Sequence, residues 1–168
     1  MPKAIRHYLE TGVIPPLVND YGRVDAPRHR DAKTFLDYWQ SCVDKSGGFV
    51  VGRDIPNRAI ARLLRSIIVT EPVDGGADFH MRLAGSGVRR RFGDEIRGQM
   101  LSDLHSPEDF RQHLASSNEV LATGKPLIVD SRLKRGAIEE LHAEVVLLPV
   151  KSPDGKHDWV LVGMFYFV

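Results

Sequence analysis

Two stretches decide the fold: Glu140-Leu141-His142-Ala143-Glu144-Val145-Val146-Leu147-Leu148-Pro149-Val150 and Trp159-Val160-Leu161-Val162-Gly163-Met164-Phe165-Tyr166-Phe167-Val168. Both are rich in β-branched and aromatic residues, and Ser152-Pro153-Asp154-Gly155-Lys156 between them is a strong turn sequence. They read as two strands. A strand wetted on one side alternates apolar with polar residues, whereas 145–148 and 160–168 are apolar at both parities. Both faces of the sheet must therefore be covered here. Helices roof one face. The reverse needs an amphipathic helix, the N-terminal segment or a second copy of the chain, because a bare apolar patch of that size is an interaction or aggregation surface.

Working back along the chain, 127–133 is another strand, preceded by a helix that Gly124 ends. Ser106 caps that helix, Pro107 suits its first position, and Glu108 and Asp109 suit its first turn. Its apolar stripe reads as Phe110, Leu114, Ser117 and Leu121. Short helices are expected at 88–92 and 97–104. Ser66-Ile67-Ile68-Val69-Thr70 and Asp78-Phe79-His80-Met81-Arg82-Leu83 form a hairpin across Asp74-Gly75-Gly76, with Phe79, Met81 and Leu83 on one side. Earlier still, Phe35, Tyr38, Trp39 and Cys42 fall at i, i+3, i+4 and i+7, one face of a helix that Gly47-Gly48 ends. A short helix follows from Asp54-Ile55-Pro56-Asn57 to Arg65. Pro15-Pro16, Asn19-Asp20, Gly22 and Pro27 punctuate the first 33 residues, which read as an extended arm with a helical turn near 3–10. The expected organisation is an arm at 1–33, a helical cap at 34–65 and a core at 66–168. The fold class is α+β: a five-stranded antiparallel sheet, short helices on one face, and an N-terminal amphipathic helix.

The chain of 168 residues is the size of one domain. Its net charge of +1 gives no warrant for nucleic acid or an anionic membrane as partner. A single cysteine, Cys42, excludes an internal disulfide or a multi-cysteine metal site and fits a reducing compartment. No apolar run reaches the ~20 residues needed to cross a bilayer, and the first residues lack a signal-peptide pattern. A cytoplasmic protein is expected.

The ordered series Phe35-Leu36-Asp37-Tyr38-Trp39, Asp54-Ile55-Pro56 to Leu63-Leu64, Asp78-Phe79-His80-Met81-Arg82-Leu83-Ala84-Gly85-Ser86, Arg91-Phe92-Gly93, Arg97-Gly98, Ala122-Thr123-Gly124-Lys125-Pro126 and Leu147-Leu148-Pro149-Val150 resembles PAS_5, a bacterial subfamily of PAS-like proteins. The resemblance covers 34–168. Single pieces are common, but the series at these intervals is specific. It implies a PAS-like fold and a regulatory or sensory module of signal transduction that is not an enzyme, while saying little about the ligand. It also implies a homodimer, since PAS domains resembling this one commonly pair through such an N-terminal helix and sheet face.

The helices of a PAS-like fold can leave a cavity against the sheet. The residues expected to face it are Phe79, Met81, Leu83, Phe92, Leu104, Phe110, Leu114 and Val129, with His113 at its rim; alternatively they simply fill the core. The expected interface comprises Phe35, Tyr38 and Trp39 with Val146, Leu148, Val162, Met164 and Tyr166. Because the sequence stops on its last strand, output is expected through contact with a separate protein. The competing readings are a ligand-free adaptor with a filled core and a small enzyme using the cavity. The sequence requires no cofactor. Some haem-binding PAS domains place their axial ligand where His113 falls, but haem is not expected. No histidine spacing supports zinc. Glu139, Glu140 and Glu144 read as solvated strand residues, and Arg89-Arg90-Arg91 with Arg97 as a solvated basic face.

Overall fold

The apolar runs pair into strands. In the computed structural model, which describes residue 12 and residues 17–93 and 95–168, the strands are β1 (Leu17–Val24), β2 (Ile67–Val73), β3 (Asp78–Ala84), β4 (Leu127–Arg135), β5 (Ile138–Lys151) and β6 (Asp158–Tyr166). They form one antiparallel sheet in the order β1-β4-β5-β6-β2-β3. The helices are α1 (Arg30–Ser46), α2 (Ser86–Phe92), α3 (Leu101–Leu104) and α4 (Pro107–Thr123), with a 3-10 segment at Arg58–Ser66. The helical turn expected at 3–10 lies outside the described residues.

Among the described residues the sheet has six strands where five were expected. The extra one is β1, within the segment read as an arm. Asn19, Asp20 and Gly22 look like turn residues, yet an edge strand needs only backbone pairing on one side, and β1 stays in register with β4 from Leu17↔Arg135 to Val24↔Ile128. Helix α1 starts four residues before the expected position. Its N-cap is His29, whose Nδ1 accepts the Asp31 N–H at 3.0 Å, a role usually filled by Ser, Thr, Asp or Asn.

Both faces of β5 and β6 are covered by the chain itself. On one face Phe35 and Trp39 of α1, with Ile60 and Leu63, bury against Val146, Leu148, Leu161 and Phe165. Gly163 permits this close approach: a Cβ there would lie 2.7 Å from the Phe35 ring and 2.6 Å from that of Phe165. The Trp39 indole N–H donates to the Pro149 carbonyl at 2.9 Å and fixes the helix along β5. On the reverse face, residues of α2, α3 and α4 pack over Ile68, Phe79, Met81, Val145, Leu147 and Val160.

A buried carboxylate anchors the start of α1. Glu144 was expected to be solvated; its side chain is instead 0% exposed. It accepts the backbone N–H of Arg28 at 2.8 and 3.1 Å and that of His29 at 3.0 Å. The His29 Nδ1 is an acceptor, so its Nε2–H donates, to the Tyr166 carbonyl at 3.0 Å. A β5 side chain and a β6 carbonyl thus hold the helix N-terminus. Next to them Asp130 accepts from Arg28 at 3.1 Å, Arg132 at 2.9 Å and His142 at 2.5 Å. Burial pushes the Asp130 carboxyl up, but the bonds from His142 and Arg132 outweigh it and hold the group below the usual carboxylate range.

Leu83 also departs from expectation. The β2–β3 register shifts between Val69 and Thr70, which pair with Leu83 and Met81, leaving Arg82 as the extra residue of a bulge. The alternation inverts there, and Leu83 turns out to 47% exposure while Phe79 and Met81 stay inside.

Glu144→Gln replaces one acceptor oxygen with a donor facing the Arg28 and His29 N–H groups. A cost of about 2–3 kcal/mol in urea unfolding is expected. Glu139→Gln, at an exposed ion pair with Arg132, should cost within about 1 kcal/mol.

Candidate functional site

A cavity of about 290 Å³ lies between the sheet and helices α3 and α4, with β1 as one side wall. Its floor and roof are apolar: Ile68, Phe79, Met81, Leu101, Leu104, Val145, Leu147, Val162 and Met164 line it, together with Phe92 of α2. One wall is polar. Alternation along β1 directs Leu17, Asn19 and Tyr21 into the cavity, and the four-residue spacing of Asp109, His113 and Ser117 places all three on one side of α4. Ser106 caps α4 by accepting the Asp109 N–H at 3.3 Å.

These polar groups bind one another across the wall. Asn19 Nδ2 donates to Asp109 Oδ2 at 2.9 Å, and the Tyr21 hydroxyl donates to Asp109 Oδ1 at 3.3 Å. The same hydroxyl lies 3.2 Å from His113 Nε2; a hydroxyl donating to Asp109 is placed to accept from Nε2–H. The His113 ring sits 4.3 Å from that of His105 and edge-on to Tyr21. Further along, Arg23 grips both oxygens of Glu119 at 2.6 Å. Strand β1 is thus hydrogen-bonded to β4 on one side and latched to α4 on the other. Burial chiefly, then the neighbouring His105, lowers the His113 pKa to about 4, against the pull of Asp109, so the imidazole is neutral near pH 7.

Of the residues expected at the pocket, Phe79, Met81, Phe92, Leu104 and His113 line this cavity. Val129 lines a smaller neighbour of about 140 Å³, separated by Tyr21 and His113. Phe110 and Leu114 pack beside the core beneath α4, and Leu83 points away. Sequence reasoning missed Asn19, Tyr21 and Asp109. The signals were period-two alternation in β1 and the Asp-x₃-His-x₃-Ser spacing of α4. The residues expected at an interface fall on two faces. Phe35, Trp39, Val146 and Leu148 are buried between α1 and the sheet, with Tyr38 packed against them; Val162, Met164 and Tyr166 line the cavity. Among the described residues no group of three or more His, Cys, Asp or Glu is placed to hold a metal. No described helix is long and apolar enough to cross a membrane.

An antiparallel sheet with a cavity between it and helices α3 and α4, and a further helix on the reverse face, defines a PAS-type module. The model of the PAS domain family PAS_5 matches residues 27–165, and the chain belongs to that family. PAS domains are, as a class, sensory and regulatory rather than catalytic. No curated protein and no solved structure matches the chain.

The neutral His113 gives a pH dependence of defined sign. Its folded pKa of about 4 lies below the ordinary 6.5, so between these values the unfolded chain binds the proton that the folded state refuses. Stability therefore falls as pH drops through this window. Asp130, held below the usual carboxylate range, loses its contribution only at lower pH. The urea midpoint is expected to fall between pH 6.5 and 4, and His113→Leu should flatten that slope; an unchanged slope contradicts the assignment.

Proposed function

We propose that this PAS module is a small-molecule sensor whose ligand occupies the 290 Å³ cavity. The cavity itself carries the reading. Protein interiors normally pack to a density of about 0.74, and a space of this size, apolar above and below with polar groups converging on one wall, has the composition of a ligand site. It also disfavours the filled-core adaptor.

The ligand's presence can be read on the far side of the sheet. Tyr166 lines the cavity with its side chain, while its carbonyl accepts the His29 Nε2–H at the cap of α1. Strand β1, which forms the polar wall, runs into α1 through residues 25–29. A ligand that shifts β1 or Tyr166 therefore acts on the anchor of α1. Phe35 and Trp39 are committed to the chain's own sheet, so a homodimer or a separate protein partner would meet the outward side of α1, where Lys33, Asp37, Gln40 and Asp44 are exposed.

A thermal-shift screen with native mass spectrometry tests the reading. At 100-fold excess over Kd a cavity ligand stabilises by about 2.7 kcal/mol, a rise in Tm of roughly 5–10 °C for a chain of this size. One molecule per chain is expected, and Ser117→Phe, which fills the cavity from α4, should abolish the shift. Stabilisation that survives Ser117→Phe unchanged, or no stabilising compound in a broad screen, contradicts it.

A further inference from the structure

The charge on the cavity wall restricts what the cavity can hold. Among the described residues that line it there is no Lys or Arg, and the two histidines, His105 and His113, lie ring against ring. His113 is neutral at physiological pH. A carboxylate or phosphate drawn into this space would lose its hydration and meet neither Lys nor Arg among the described lining residues, a cost of several kcal/mol. It would share the cavity with the carboxylate of Asp109, a second anion.

Asp109 is the one acidic side chain among the described residues that line the cavity. The bonds the structure gives its carboxylate come from neutral donors, the Asn19 amide and the Tyr21 hydroxyl, one to each oxygen. A carboxylate offers about four lone-pair directions, so acceptor capacity remains towards the cavity. Leu17, Leu104, Leu133 and Met164, which line the same cavity, offer an apolar body van der Waals contact. An attraction to Asp109 in this half-dry setting is screened less than at the surface.

We infer that the cavity selects an amine with an apolar aryl or alkyl body, its ammonium group hydrogen-bonded to Asp109, and rejects acids of the same shape. This rests on the cavity being the ligand site, as proposed above. A neutral alcohol of the same skeleton, which can donate one hydrogen bond to Asp109 but carries no charge, ranks between the two.

Three probes sharing one ring system separate these cases: 2-naphthylmethylamine, 2-naphthalenemethanol and 2-naphthoate, titrated by calorimetry and thermal shift at pH 7.5 against the full chain. The amine is expected to bind at least ten-fold more tightly than the acid, with the alcohol between them. Asp109→Asn keeps the shape and the bond to Tyr21 and should reduce the amine's advantage over the alcohol by about ten-fold. Its circular dichroism and Tm report whether it folds, and the comparison of the three probes on the unaltered chain does not depend on it. Naphthoate binding as tightly as the amine overturns the amine preference while leaving the cavity as a ligand site. An unchanged amine advantage in folded Asp109→Asn overturns the role of Asp109. Failure of all three probes to bind overturns the inference and removes support from the cavity reading as well.

Discussion

The structure depends on β5 and β6 being apolar on both faces. Such strands have no side to give to water, so each face of the sheet centre must bury against something else. One chain supplies both covers by different means. Helix α1 lies flat on one face, with Phe35 pressed onto Gly163 and Trp39 bonded to Pro149. On the other face helices α2 to α4 are spaced from the sheet by the residues of the cavity. The close cover fixes the fold; the loose cover leaves room for a ligand.

The two faces are chemically joined at one corner. Glu144, His29 and the Tyr166 carbonyl tie the start of α1 to strands that also border the cavity. Burying a carboxylate such as Glu144 is unfavourable unless its lone pairs are filled, and here the main-chain N–H groups of Arg28 and His29, just ahead of α1, bond to it. That makes the position of α1 sensitive to small movements of β1 and β6, two of the elements that line the cavity. A sensing module needs such a link between the bound molecule and an outer surface.

Much of the architecture was legible in the sequence, because it follows from periodicity. The α1 face, the capped α4, the β2–β3 hairpin and the two greasy strands all come from apolar spacing and turn chemistry, and the PAS resemblance followed from their order. What was hidden depends on pairing. β5 and β6 register Val146 against Gly163 and Leu147 against Val162, so even positions on one strand share a face with odd positions on the other. Grouping Val146 and Leu148 with Val162 and Met164 therefore mixed the two sides of the sheet. The bulge at Arg82 turned Leu83 outward for a similar reason. Glu144 looked solvated because its partners are main-chain groups 115 and 116 residues away. β1 escaped notice because its polar and glycine residues resemble a loop until β4 is beside them. The polar wall of the site was lost with it.

Native-state hydrogen exchange of the α1 amides tests the double cover most directly. If α1 is the permanent lid of the β5–β6 face, its central amides from Phe35 to Val43 exchange only with global unfolding, at the same free energy as the core of β5 and β6. Exchange of those amides within seconds to minutes while the strands stay protected would show that the face is bare or covered by something else, and would contradict the account.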